Sequence, residues 1–281
     1  MTPPSEGKTV EVDGRPVYYL DVGKGTPVVL LHGGGPGASG FSNYNRNIEA
    51  LQTGYRLIIP DLPGYGSSGK APISGPRYAA YAATVLGLLD QLKIPKAHFI
   101  GNSLGGGTAI KAALEAPQRV DRLVLMGPAG LHSAYTKVPT EGARMIFEYY
   151  AGEGPSKAKL KAFIQLMIYD SSALTDALLE QRYQASIDPE VIANPPLSRS
   201  HPPILEELWR DPRLSQLPHE TLLLWGREDR VNPLFTAEIL MNQLPNACMV
   251  SFTKCGHWVQ WERAEAFNRF VSNFLGGGAT A

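Results

Sequence analysis

Cysteine is almost missing from this chain: two in 281 residues, Cys248 and Cys255, seven apart near the C-terminal end. That scarcity excludes a disulfide-stapled secreted scaffold, and the lack of any CxxC spacing excludes a thiolate metal centre. An excess of charge is missing too, since 26 Lys and Arg balance 26 Asp and Glu. With zero formal net charge and no basic stripe, the composition argues against nucleic acid or an anionic membrane as partner. No apolar run approaches the roughly 20 residues that cross a bilayer. The N-terminal stretch MTPPSEGKTVEVDG lacks the apolar centre of a signal peptide, so a cytoplasmic protein is expected. Internal repeats are also lacking. What remains, 43% hydrophobic and 19% charged, suits a globular protein with a large core.

Residues 8–12 and 15–22 have strand content around Asp13-Gly14, a hairpin signal. PVVLL (27–31) and RLIIP (56–60) are unalternating apolar runs, each ending in a glycine-rich loop, HGGGPG and DLPGYGSSG. Such strands belong to a parallel sheet covered on both faces. Helical stretches at 78–92 and 104–114 alternate with strands at 97–101 and 122–127, the βαβα order of an α/β fold. From 132 to 210 the rhythm changes to helical segments around 141–151, 156–169 and 174–186, then a proline-rich connector. The expected organisation is a core of 1–131 and 211–281 with 132–210 as an inserted helical cap. Met145, Phe147, Phe163, Leu166, Met167 and Trp209 supply the cap's apolar packing, a few of them facing a cavity. The α/β rhythm returns with TLLLWGRED (221–229), a helix at 233–243, the strand CMVSFT and a final amphipathic helix over 262–275.

The stretch GNSLGG (101–106) carries the chemistry. A serine between Gly101 and Gly105, at a strand-to-helix turn, has the form of a nucleophile elbow. The helix that follows aims its N-terminal N–H groups at the space beside the Ser103 hydroxyl, where negative charge would be stabilised. A serine hydroxyl needs a base, and the base an orienting acid. Asp229 in GREDR and His257 in CGHW each follow a late strand, so both lie on the same sheet edge as Ser103. Asp229 is preferred to Glu228 because it stands three residues after the glycine, in the form G-x-x-D. The order Ser…Asp…His is that of the α/β-hydrolases. Loop HGGGPG offers bare amides, and Gly34 with Leu104 would form an oxyanion hole, each donor worth about 3 kcal/mol of barrier. His32 is expected to brace that loop, and Asp61 to bond nearby backbone amides. The cysteines are expected to be small buried side chains.

Taken together, HGGGPGASGFSNY, GNSLGGGTA, LVLMGPAG, GREDRVNP and CGHWVQWE resemble the meta-cleavage product hydrolases, from about residue 27 to the end. The likeness leans towards the branch acting on biaryl and steroid ring-fission products. That resemblance implies an α/β-hydrolase fold, mostly parallel, with a cap. It also implies cleavage of a carbon–carbon bond in a 2-hydroxy-6-oxo-hexa-2,4-dienoate type compound, a ring-opened aromatic small molecule. No cofactor and no metal are implied, and a homo-oligomer, a dimer or higher, is. By the same resemblance Ser103, Asp229 and His257 are the triad, and Gly34 and Leu104 the oxyanion amides. Gly33, Gly35, Asn43, Asn102, Arg182 and Trp258 would bind the dienoate end. A carboxylate needs a cation, and Arg182 has no acid at i±3 or i±4 to occupy it. A solvated cap arginine and a core tryptophan are the competing readings of Arg182 and Trp258. At the level of function, a serine esterase or lactonase is the first alternative and a non-catalytic ligand binder the second. Either Ser103 or an activated water could attack first.

Overall fold

Strands with apolar side chains on both faces must be covered on both faces, and that requirement organises the chain. The computed structural model describes residues 6–131, 139–198 and 204–277. Its strands are β1 (Lys8–Val12), β2 (Arg15–Gly23), β3 (Thr26–Leu31), β4 (Tyr55–Pro60), β5 (Ala97–Asn102), β6 (Val120–Met126), β7 (Thr221–Gly226) and β8 (Ala247–Phe252). They form one sheet in the order β1-β2-β4-β3-β5-β6-β7-β8. β1 and β2 are an antiparallel hairpin, turned by Asp13 and Gly14 at φ 50° and 71°. β2 also runs antiparallel to β4, and every later pairing is parallel. β4 lies on one side of β3 and β5 on the other, so their loops diverge at the carboxyl edge. Open α/β sheets place their crevice at such a switch point.

The helices are α1 (Gly40–Tyr44), α2 (Ile48–Leu51), α3 (Arg77–Gln91), α4 (Leu104–Glu115), α5 (Glu141–Glu148), α6 (Lys157–Met167), α7 (Asp176–Ser186), α8 (Pro189–Ala193), α9 (Ala237–Gln243), α10 (Val259–Glu262) and α11 (Ala264–Leu275). Successive strand residues point to opposite faces. Thus Phe99, Leu123, Leu125 and Trp225 pack with Tyr78 and Val85 of α3 and Ala109 and Ala113 of α4. Ile100, Val124 and Leu224 face the other way, with Ile48, Leu51, Phe267 and Val271. Among the described residues no helix is long and apolar enough to cross a membrane.

Helices α5 to α8 stand between β6 and β7, close to the segments expected. Thr140, Ser156, Thr175 and Asp188 start them by accepting from a backbone amide in the first turn. Their apolar side chains, Leu160, Phe163, Ile164 and Met167 among them, cluster with Val231, Trp258 and Trp261. Val231 and Trp258 belong to the loops after β7 and β8, so this layer covers the carboxyl edge of the sheet. The chain rejoins the core before position 210. Ile204 bridges Pro76, and the Glu206 carboxylate accepts from the Tyr78 and Ala79 amides at 2.8 and 3.0 Å. The final helix expected over 262–275 is α11, which begins at Ala264 because Glu262 ends the short α10. Helices α1, α2, α8 and α10 escaped sequence reading because four or five residues carry no helical period. Part of the proline-rich connector, His201 to Pro203, lies outside the described residues.

Candidate active site

Ser103 closes β5 and opens α4. Its backbone stands at φ 53° and ψ −114°, a region a side-chain-bearing residue adopts only under constraint, costing about 1–3 kcal/mol. The constraint is visible: Ser103 N donates to Met126 O at 2.9 Å, and Ser103 O accepts from Ala129 N at 2.9 Å and Gly107 N at 3.0 Å. Glycine flanks it out of necessity. A Cβ on Gly101 would lie 2.4 Å from Gly105 O, and one on Gly105 would lie 2.2 Å from Leu31 O. The elbow is therefore a place where two strands and a helix touch by backbone alone.

Asp229 and His257 come together from the loops after β7 and β8. One Asp229 oxygen, Oδ1, accepts from the Val231 and Asn232 amides, both at 2.8 Å. The other, Oδ2, stands 2.7 Å from His257 Nδ1, and both residues are buried. With Oδ1 committed to the backbone, Oδ2 accepts the Nδ1 proton, which leaves Nε2 with its lone pair. The Ser103 hydroxyl makes no hydrogen bond to His257 or to another described group, and the two side chains line one cavity. Gly127, in the stretch LVLMGPAG, is required by this pair in a way the sequence does not signal. A Cβ there would meet Asp229 Oδ2 at 2.9 Å and His257 Nδ1 at 3.0 Å, and its φ is +43°. Gly127→Ala is therefore expected to lose about 1–2 kcal/mol of stability. It should also lower kcat on any substrate by on the order of tenfold or more, because the imidazole must move. Thermal melts and kcat measured together check this; an unchanged kcat would detach the Asp229–His257 pair from turnover.

The loop after β3 supplies Gly33, Gly34 and Gly35. His32 braces it as expected: Nδ1 lies 2.8 Å from Gly33 O and Nε2 accepts from Leu62 N at 2.9 Å. Burial pushes this imidazole down to about 4, so it is neutral with its proton on Nδ1. Asp61 binds the Gly40 and Ser67 amides at 2.7 and 2.8 Å, although burial raises its carboxyl to about 6. The carbonyl of Gly34 is held by Tyr65 Oη at 3.1 Å. Among the described residues neither the Gly34 amide nor the Leu104 amide donates to a protein group. Two unspent N–H donors beside a serine hydroxyl are what a developing oxyanion requires.

Arg182 on α7 is 2% exposed, and its Nε and Nη2 donate to Pro36 O at 3.2 and 2.9 Å. Its guanidinium lies 5.1 Å from the Trp258 ring. Burial lowers it to about 10, so it keeps its charge at neutral pH. No carboxylate pairs with it among the described residues. A buried cation facing only a carbonyl and an aromatic face lacks its anion. Trp258 stacks on Trp261 at 5.3 Å and donates from Nε1 to Asn43 Oδ1 at 3.1 Å. Asn43 Oδ1 also accepts from Gly33 N at 3.2 Å, and Nδ2 donates to Ser39 O at 3.1 Å. Asn102 Nδ2 donates to Met126 O and His257 O, both at 3.2 Å. The two asparagines thus tie the glycine loop to Trp258 and the elbow to the His257 backbone. Sequence could not show that bracing.

All eleven residues singled out from the sequence meet here or immediately behind. Gly33, Gly34, Gly35, Asn43, Asn102, Ser103, Arg182, His257 and Trp258 line one small, tightly packed cavity, completed by Ala38, Ile146, Phe163 and Met167. Asp229 sits behind His257, and Leu104 offers its amide from the first turn of α4. Of the apolar cap side chains, Phe163 and Met167 reach the cavity, whereas Trp209 packs against the core. Cys255 is buried, which pushes its thiol upward and leaves it inert. No cluster of three His, Cys, Asp or Glu among the described residues could hold a metal ion.

A sequence model of the alpha/beta hydrolase fold matches residues 26–264. A 2-hydroxy-6-oxo-6-phenylhexa-2,4-dienoate hydrolase of Burkholderia cepacia is 42% identical over 267 residues, covering 93% of this chain and 92% of that protein. A 2-hydroxy-6-oxononadienedioate/2-hydroxy-6-oxononatrienedioate hydrolase of Comamonas testosteroni matches with the same identity and coverage. Among solved structures, a meta-cleavage product hydrolase from Pseudomonas fluorescens IP01 superimposes with TM-score 0.85 at 36% identity, covering 97% of this chain and 98% of that one. The chain belongs to the meta-cleavage product hydrolases of the α/β-hydrolase family.

Proposed function

We propose that this enzyme hydrolyses a carbon–carbon bond in a 2-hydroxy-6-oxo-hexa-2,4-dienoate, with Ser103, His257 and Asp229 as its triad. The observation that carries the substrate assignment is Arg182: a buried guanidinium with no acidic partner among the described residues, opening into the cavity that Ser103 and His257 share. The dienoate carboxylate takes that place, with Trp258 and the loop of Gly33 and Gly35 beside it. Asn43 and Asn102 hold those contacts in position. The helices of segment 132–210 act as the cap that closes over the substrate.

A carbon leaving group departs only when a ketone conjugated with it accepts its electrons. The enol must first become the keto form; His257 Nε2 takes the enol O–H proton and delivers it to carbon. Ser103 Oγ then adds to the ketone as its proton passes to His257 Nε2. The oxyanion rests on the Gly34 and Leu104 amides. Collapse breaks the carbon–carbon bond and leaves an ester on Ser103; the departing dienolate takes the proton from His257 Nε2 and leaves as the hydroxydienoate, which returns His257 to its neutral form. Water, deprotonated by His257, hydrolyses that ester to a carboxylic acid.

Phenyl-bearing and dioate-processing relatives stand at the same 42% identity, so overall likeness does not select the ketone substituent. The lining does favour one. Ile146, Phe163 and Met167 are apolar, and Arg182 is the one cation among the described lining residues. With that cation assigned to the dienoate carboxylate, an uncharged, apolar substituent fits better than a second carboxylate. The likeness to the family and the sparse cysteines support a homo-oligomer working in the cytoplasm.

Arg182→Gln separates this function from that of a plain esterase. The change leaves a shorter, neutral amide and removes charge and fork, so dienoate turnover should fall by roughly ten- to a thousandfold. Hydrolysis of a small neutral ester in the same preparation should change little, because the triad and both amides are untouched. Equal losses on the two substrates would mean that Arg182 holds the cap through Pro36 and does not read a carboxylate.

A further inference from the structure

We infer that Glu262 is a positioning residue for His257, clamping the histidine loop to the cap segment that follows α6. This rests on the triad proposed above. Glu262 is the last residue of α10, half-buried, five positions after the histidine. Its Oε1 accepts from Gly256 N at 2.9 Å and from Trp258 N at 3.4 Å, the amides on either side of His257. Its Oε2 accepts from Tyr169 N at 2.7 Å. The amide of His257 itself donates to Met167 O at 2.7 Å, at the end of α6.

Three successive peptides of the histidine loop are thereby held, alternately by a core carboxylate and by the cap. The fit is close: a Cβ on Gly256 would stand 2.3 Å from Met167 O. Burial pushes the Glu262 carboxyl up, opposed by its three amide donors. Glu262 itself lies outside the cavity lining. Its consequence is geometric, because residues 167–169 cannot leave the histidine loop without breaking bonds at His257 N and at Glu262. The imidazole already has its ring orientation from Asp229. Glu262 fixes where along the sheet edge that ring stands, and makes a seated cap a condition for it.

Glu262→Gln keeps the shape but turns an N–H donor towards one of the two amide arms. For this variant kcat should fall by the same factor on the dienoate and on a small neutral ester, on the order of 10- to 100-fold. The dienoate KM should stay within about twofold, since Arg182 keeps its own anchor on Pro36 O. A purely structural role would lower the melting temperature and leave kcat per folded molecule unchanged, and that result would overturn the inference. So would a loss confined to the dienoate. Should the Gln variant fail to accumulate, Glu262→Asp keeps the charge one methylene short, and the same equal loss on both substrates is expected. Wild-type protein that hydrolyses the ester but no dienoate would overturn the substrate assignment and leave the Glu262 comparison standing on the ester. Ester turnover surviving in Ser103→Ala would overturn the triad, and the inference with it.

Discussion

Ser103→Ala is expected to fold as the wild type does and to lose dienoate turnover by at least about a thousandfold. Folding should survive because the Ser103 hydroxyl bonds to no described group, while the backbone bonds to Met126, Ala129 and Gly107 remain. Alanine inherits the strained φ of 53° and adds no new strain. Chemistry should fail because, among the described residues lining the cavity, Ser103 is the one hydroxyl or thiol. Binding should persist through Arg182 and Trp258, so the mutant should perturb the visible spectrum of an added dienoate without consuming it. Absorbance traces under single-turnover conditions read both effects at once. Retention of most wild-type activity would remove the serine from the mechanism.

Asp229→Asn should be comparably severe, about 10⁴-fold in kcat, for a reason readable from its hydrogen bonds. Oδ1 faces two backbone donors, the amides of Val231 and Asn232, both at 2.8 Å. An asparagine must turn its oxygen to those donors, which brings its NH2 to His257 Nδ1. Nδ1 is then an acceptor, the ring proton moves to Nε2, and the imidazole can no longer take a proton from Ser103. Ring NMR of His257 should show the exchanged tautomer at near-native stability. A loss below about tenfold would mean that the Asp229–His257 pair does not set the base.

Much of this site is legible in one dimension because its demands are local. An elbow needs glycine at two fixed offsets from a serine, where backbones meet at 2.4 and 2.2 Å, so GNSLGG announces itself. Apolar runs ending in glycine-rich loops mark parallel strands, and parallel strands put their carboxyl ends on one edge. Ser103, Asp229 and His257 could therefore be assigned to that edge without coordinates. Gly34 and Leu104 followed from the loop and the helix start. Short helices were not legible, since one turn has no period to detect.

Sequence by itself determined an α/β fold with a mostly parallel sheet and named a candidate nucleophile, base and acid for one edge of it. Only the tertiary structure decided how those groups are held. Arg182 is anchored by Pro36 O, 146 positions away, and Asn43 reaches Trp258 across 215. Gly127 is required by two side chains that arrive from other strands, and Glu262 gathers amides from both the histidine loop and the cap. The physical reason is the range of the interactions. Backbone sterics and hydrophobic periodicity act between neighbours in the chain and leave a pattern there. Satisfying a buried polar atom takes whatever donor or acceptor packing brings within about 3 Å, and no pattern along the chain records that choice.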